Sequence, residues 1–296
     1  MGYLSIDNAY KNNTFMAFKE IYCLEKVEGT STHVQWSKGQ LTFYSGGAKH
    51  EEFIKLFDHD KLTELFKQAE YPQDTVVRIH GEAYGGKIQA MSKTYGKDLK
   101  FIGFDVRIGD VWLDVPKAED YCNKFGIPFV PYERVQCTEE NINRERDRDS
   151  VIAVMCGMGE GHMREGIVIR PPFEVRMNNG ARVIAKHKRD DFREMRTPRP
   201  TIVDPDKLKV LEQAEAIAEE WCVPMRLRHV LNKMTIDDIE PDMNKMGDII
   251  KNMIDDIYRE GKGEIIESRE ASKAIGTKTV QLFKEYLRKK NMGVML

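Results

Sequence analysis

The sequence predicts an α+β domain built on antiparallel strands, followed by a small all-helical domain. Three observations carry this. Short apolar-alternating runs bounded by turn residues recur as far as about residue 186, the pattern of half-buried strands. Charged segments with helical spacing lie between them. After Pro198-Arg199-Pro200 the texture changes, and every later segment reads as a helix. The boundary divides the chain into 1–197 and 198–296.

The elements follow in order. Residues 20–26 (EIYCLEK) read as a strand, and 32–36 with 40–45 as a hairpin turned at Ser37-Lys38-Gly39. From Glu51 to Ala69 the apolar positions Phe53, Ile54, Phe57, Leu62, Leu65 and Phe66 suit a helix broken near Asp58-His59-Asp60. Strand-like runs at 75–82 and 99–107 come next, then a helix from Lys117 to Phe125, ended by Gly126 and Pro128. Residues 128–135 look extended. Thr138 caps a charged helix running to about Met155, with Glu139 and Glu140 in its first turn. Strands at 164–170 and 181–186 flank Asn179-Gly180, a strong hairpin signal. Asp204-Pro205 is a helix start ahead of KLKVLEQAEAIAEEW, and further helices fit 224–234, 241–259 and 268–290.

Composition narrows the class. The chain of 296 residues is 41% hydrophobic and 32% charged, which excludes a collagen-like, mucin-like or wholly disordered protein. No run of about 18 apolar residues is present, so no membrane-spanning helix is expected. The N-terminus lacks a basic-then-apolar signal pattern. The 46 Lys and Arg against 48 Asp and Glu leave a formal charge of −2, so nucleic-acid contact needs a local basic patch. Five scattered cysteines without a C-x-x-C pair argue against a disulfide framework and a zinc site. A cytoplasmic location is expected.

Five short motifs carry chemistry. Lys26 ends an apolar strand in Glu25-Lys26-Val27-Glu28-Gly29; a lysine nucleophile needs a partly desolvated place with other cations nearby, although a solvated turn lysine has the same spacing. In His80-Gly81-Glu82-Ala83-Tyr84-Gly85-Gly86 a strand carboxylate is flanked by glycines and suits a ribose hydroxyl. In Phe101-Ile102-Gly103-Phe104-Asp105-Val106 alternation sends Phe104 and Asp105 to opposite faces. A Phe104 ring at a pocket wall stacks on a purine, and one turned inward is core. Asp105, inside an apolar strand, needs a partner. Glu165 opens the strand of Arg164-Glu165-Gly166 and suits a divalent metal near phosphate. In Ala185-Lys186-His187-Lys188-Arg189 the two lysines share one face, where an anion relieves their repulsion; a solvated edge strand carries lysines too.

The order of these motifs, Lys-x-Glu-Gly, strand Glu, Phe-Asp, Glu-Gly-hydrophobic and Lys-x-Lys, resembles the covalent nucleotidyltransferase superfamily. Within it, the chain is similar to the ATP-dependent RNA ligases of bacteriophages and of trypanosome RNA editing, over about residues 20–190. The resemblance implies an ATP-grasp-like ligase adenylation domain with antiparallel sheets and flanking helices. It implies that Lys26 is adenylated by ATP and that Glu82 binds ribose. It further implies that Phe104 stacks on adenine, that Glu165 binds Mg²⁺ or Mn²⁺, and that Lys186 and Lys188 contact the nucleotide phosphates. Glu28 fills the third position of the lysine motif, and Glu25 is a candidate for the adenine edge. The implied partner is RNA with 5′-phosphate and 3′-hydroxyl ends, with no membrane and a monomeric chain. A DNA-nick ligase, another covalent nucleotidyltransferase and a catalytically silent RNA-binding relative are the alternatives.

One departure from the family pattern, and the character of the tail, bear on RNA. The arginine usual after the opening hairpin is missing from Phe43-Tyr44-Ser45-Gly46-Gly47-Ala48-Lys49; Lys49 is the substitute candidate, without a bidentate fork. The tail lacks the alternating strands of an OB-fold barrel. Arg189, Arg193, Arg196 and Arg199 at the junction, with Met225-Arg226-Leu227-Arg228-His229, are candidate RNA phosphate contacts.

Overall fold

The computed structural model describes residues 2–198, 210–236 and 242–291, and all counts and absences below refer to these. The chain forms two compact units, Met1–Arg189 and Asp190–Leu296.

The first unit holds two antiparallel sheets. Strands β1 (Glu20–Lys26), β7 (Tyr132–Gln136), β8 (Gly166–Arg170) and β9 (Ala185–Lys188) form one, in the order β7-β1-β8-β9. Strands β2 (Thr30–Ser37), β3 (Gln40–Tyr44), β4 (Val77–Gly85), β5 (Leu99–Ile108) and β6 (Val111–Trp112) form the other, in the order β3-β2-β4-β5-β6. The β2–β3 turn falls at Lys38 and Gly39, both with positive φ (51° and 74°), the geometry that twists a two-residue hairpin correctly.

Helices cover the far face of the five-stranded sheet. The predicted break near Asp58 divides α1 (His50–Ile54) from α2 (His59–Gln68), which is N-capped by the Asp58 carboxylate. Phe53, Phe66 and Trp36 are buried there, with Trp36 stacked on Phe66 at 5.4 Å. A short helix α3 (Ser92–Tyr95) follows β4, and α4 (Val115–Lys124) starts under an Asp114 cap. The four-stranded sheet packs Ile21, Cys23, Ile167, Ile169 and Ala185 against Phe15 and Ile142.

Three local expectations need correction. The helix expected over 138–155 is two helices, α5 (Glu139–Asp147) and α6 (Val151–Met155), because Arg148 turns extended and Ser150 caps a fresh start. Asn179-Gly180 does turn the chain, with Gly180 N–H donating to Met177 O. It closes only a minor Arg176–Arg182 bridge, and β9 begins later, at Ala185. Phe104 and Asp105 do not alternate, because the β4–β5 register slips at His80/Gly81 and leaves Phe104 as the extra residue of a bulge.

The second unit is helical in its described residues: α7 (Ala214–Trp221), α8 (Pro224–Ile236), α9 (Met246–Glu260) and α10 (Arg269–Asn291). Of the helix expected through residues 207–221, residues 207–209 lie outside the described residues, Leu211 bridges Ile265, and α7 begins at Ala214. The expected starts at Asp204-Pro205 and Pro241 lie outside the described residues. No helix is long and apolar enough to cross a membrane.

Candidate active site

Two glycines set the site's backbone. A Cβ at Gly29 would lie 2.4 Å from Ala83 O, and one at Gly166 would lie 2.2 Å from His187 O. Both are distances that a side chain cannot occupy. The first lets the turn after Lys26 press on β4, which carries Glu82. The second lets β8 approach β9, which carries Lys186 and Lys188.

The result is a charge cluster. Lys26 Nζ donates to Glu165 Oε2 at 2.7 Å, and Lys188 Nζ lies 2.9 Å from Glu165 Oε1. Glu165 is 3% exposed. Burial alone would raise its pKa, but Lys188 and Lys26 pull it down to about 2. Burial likewise works to lower the pKa of Lys26, yet Glu165 outweighs it and holds the amine above its ordinary value. Lys186 shares its face with Lys188, and its backbone pairs with the N-terminal segment through Ala9 N–H and Asp7 O.

Glu82 is half-buried in β4 and feels the same cluster. Burial pushes its pKa up to about 8, against Lys26 and with help from Glu165 and Glu28. Glu28 is buried, and its N–H faces the Tyr95 hydroxyl at 3.5 Å. The fold brings Lys26, Glu28, Glu82, Glu165 and Lys188 together from four strands and their ends, with Lys186 on the same strand as Lys188.

Glu25 takes a different place from the one expected. Alternation turns it away from Lys26. Its carboxylate accepts from the Ser150 hydroxyl and from Val151 N–H at 2.9 Å, and Arg164 lies 3.6 Å away. Its two oxygens anchor α6, so a base edge would have to displace one of these donors.

Phe104 is half-exposed, and the edge-on ring of Tyr3 packs against it at 4.9 Å. The Tyr3 hydroxyl donates to Asp105 at 2.6 Å and accepts from Arg182 at 2.9 Å. Asp105 finds the partners its burial demands in Arg170 (3.0 Å) and Arg182 (2.6 Å). Burial would raise its pKa, but these two guanidiniums hold it below the usual carboxylate range. Because Arg170 stands on β8 and Asp105 on β5, this buried pair ties the two sheets together. Residue spacing gave no sign of Tyr3 or Arg182; only the demand that Asp105 have a partner pointed there.

The arginines proposed for RNA are mostly engaged. In the first unit Arg189 donates to Asp147 O at 2.9 Å, and Lys49 is exposed. In the second unit Arg193 pairs with Asp190 (3.6 Å) and Arg196 with Glu219 (3.3 Å). Arg226 is no surface residue: it is 1% exposed and pairs with Asp256 and Glu194. Arg199 lies outside the described residues.

An anionic nucleotide fits this chemistry. Two lysines, Lys26 and Lys188, converge on the Glu165 carboxylate. On the sheet face that carries Glu82, buried Ser31 Oγ, His33 Nδ1 and both ring nitrogens of His80 have no hydrogen-bond partner among the described residues. Burial, helped by neighbouring charge, pushes His33 down to about 4 and His80 to about 3, so both rings are neutral at physiological pH. No group of three or more acidic, His or Cys side chains able to hold a metal occurs among the described residues. Both carboxylate oxygens of Glu165 are engaged, Oε2 by Lys26 and Oε1 by Lys188.

The chain is similar to Naegleria gruberi RNA ligase with PPi, at 15% identity and a TM-score of 0.48, covering 65% of this chain and 57% of that one. It is similar to a lysine-to-alanine mutant of that ligase with ATP and Mn, at 15% identity and 0.48, covering 64% and 56%. An aspartate-to-alanine mutant without ligand gives 16% and 0.47, covering 65% and 56%. The chain thus spans less than two thirds of the length of these ligases. No curated protein matches. The model of the RNA ligase family matches residues 19–188, a stretch that runs from the start of β1 through Lys188 and contains the whole lysine–glutamate cluster, so this chain belongs to the RNA ligase family.

Proposed function

We propose that this chain is an ATP-dependent RNA ligase that joins 3′-hydroxyl and 5′-phosphate RNA ends through a lysyl-AMP intermediate. The observation that carries the reading is the cluster of Lys26, Glu165 and Lys188, with Glu82 beside it. The Lys26 amine, once it has lost a proton, attacks the α-phosphorus of ATP; a P–N bond forms and pyrophosphate leaves. The RNA 5′-phosphate then takes the AMP, and Lys26 is released. The 3′-hydroxyl attacks the activated 5′-phosphate, and AMP leaves. Each step is a phosphoryl transfer, so catalysis is mostly positioning and charge neutralisation.

The other residues divide the work. Lys186 and Lys188 neutralise the phosphates. Glu82 holds the ribose, with Glu28 next to it, and the Phe104 ring takes the base. Glu165 would hold Mg²⁺ or Mn²⁺, which would supply charge neutralisation at the phosphates. Were Glu165 to turn to such a cation, Lys26 would lose the partner that holds its pKa up. The helical second unit supports RNA over nicked DNA, since a DNA ligase of this superfamily carries an OB-fold barrel there. A cytoplasmic monomer, in host cytoplasm if the source is viral, completes the reading.

Covalent labelling tests it. Protein freed of bound AMP is incubated with α-phosphate-labelled ATP and Mg²⁺ and denatured. Label should stay on the wild type and be absent from Lys26→Ala. Matched nicks follow; sealing of DNA alone would remove RNA from the proposal, and absence of label would leave a silent RNA-binding relative.

A further inference from the structure

The five-stranded sheet carries a second cationic feature that the cluster at Lys26 does not use. Thr42, Gln35, Arg78, Arg107 and Trp112 are successive register partners across β3, β2, β4, β5 and β6. Directly paired residues share a face, so these five form one row. The neighbouring row on that face holds Tyr44, His33, His80 and Asp105, and Glu82 lies one row further along β4. Arg78 therefore stands four residues from Glu82 on one strand and one face, about 13 Å away at strand rise.

Arg78 and Arg107 are like charges placed directly opposite, an arrangement that costs stability unless an anion lies between them. Their carboxylate supply is thin. Arg107 Nη2 pairs with Asp110 at 2.7 Å, and Asp110 is 93% exposed. Arg78 makes no ion pair among the described residues; its Nε donates to Gln35 Oε1 at 2.6 Å. Gln35 in turn donates to Thr42 Oγ1 at 3.3 Å. Gln35 thus fixes the guanidinium and leaves both of its Nη groups for a ligand. One row away, Tyr44 is 38% exposed and stacks on the buried His33 ring at 5.1 Å.

We infer that this face binds the RNA substrate as a single strand: the Arg78–Arg107 pair takes a backbone phosphate, and a neighbouring base stacks on Tyr44. Tyr44 stands one row and two strands from Arg78, about 12 Å at strand spacing, and an exposed ring within reach of a cation is the combination by which proteins hold single strands without reading sequence. A guanidinium with both Nη groups open suits the two oxygens of a phosphodiester. This inference rests on the RNA-ligase reading.

The test is fluorescence anisotropy of a fluorescein-labelled single-stranded oligoribonucleotide against the full chain across a KCl series. Each variant is melted first to show that it is folded. Arg78→Ala should weaken binding, and its slope of log K against log[KCl] should fall by about 0.7, the contribution of one single-strand phosphate contact. Arg78→Lys should recover the slope. Tyr44→Ala should weaken binding by about fivefold or more with the slope unchanged. Equal affinity and slope for wild type and Arg78→Ala, or no binding by the wild type, overturns the site. Lysyl-AMP formation by the wild type is scored separately: its absence overturns the ligase reading, while the anisotropy series still decides the site.

Discussion

Lys26 and Glu165 are 139 residues apart in the chain and 2.7 Å apart in space. The contact sets the protonation of the amine. Burial and Lys188 push its pKa down, and Glu165 pushes it up by more. The free protein thus holds its candidate nucleophile as an ammonium, unable to attack, until the carboxylate is drawn elsewhere.

Competitive amine labelling with mass-spectrometric readout should place the Lys26 pKa of the free protein above 10.5, the ordinary lysine value. In Glu165→Gln the carboxylate is gone while burial and Lys188 remain, so the pKa should fall below that value. An unmoved titration would sink the account.

Glu82 gives a stability signature. Its pKa, 4.5 when free, is pushed up to about 8 in the fold by burial. The folded state therefore binds this proton more tightly than the unfolded chain. The stability it contributes is fully present below 4.5 and is lost as pH rises through 8. Glu82→Gln stays neutral. Urea midpoints taken on both sides of that window should converge or cross in favour of the variant as pH rises; parallel curves would contradict the assignment.

For Phe104, the half-exposed ring in the bulge predicts a binding effect without unfolding. Phe104→Ala should raise the KM for ATP in the labelling reaction by about two- to tenfold, the worth of one stacked ring. Loss of the cooperative melt instead would show that the ring serves the core.

Asp105 is the charge on which Arg170 and Arg182 both depend. Asp105→Ala leaves two buried guanidiniums with Glu174 as their one remaining carboxylate among the described residues and should cost about 3–5 kcal/mol in urea unfolding. A loss under about 1 kcal/mol would mean that the pair does not tie the sheets as described.

Ser150 both caps α6 and donates to Glu25. Ser150→Ala should cost about 1–2 kcal/mol. It should also leave Lys26 labelling by ATP in place, because Glu25 faces away from the amine. A variant that keeps its stability but loses the label would instead return Glu25 to the nucleotide.

Much of this was legible in the chain itself. Alternation in EIYCLEK, the break before His59 and the turn at Lys38-Gly39 are local matters, decided by backbone preference and the spacing of apolar side chains. Lys26, Glu82, Glu165, Lys186 and Lys188 could be singled out as candidates because the order of their motifs resembles that of a known family. Ser150 was hidden inside a run whose composition suits one continuous helix, and its cap and its tie to Glu25 depend on a strand more than 120 residues away.

The sequence by itself determined the α+β class, the helical tail and the set of charged residues available for phosphoryl transfer, since these follow from periodicity and from residue type. Only the tertiary structure decided which charges meet. Pairing Glu165 with Lys26, turning Glu25 away from it, breaking alternation at Phe104, burying Arg226 and setting Arg78 opposite Arg107 all depend on strand register and sheet packing. Register is a long-range quantity: a one-residue slip, such as the bulge opposite His80, moves a side chain to the other face and leaves no mark in local spacing.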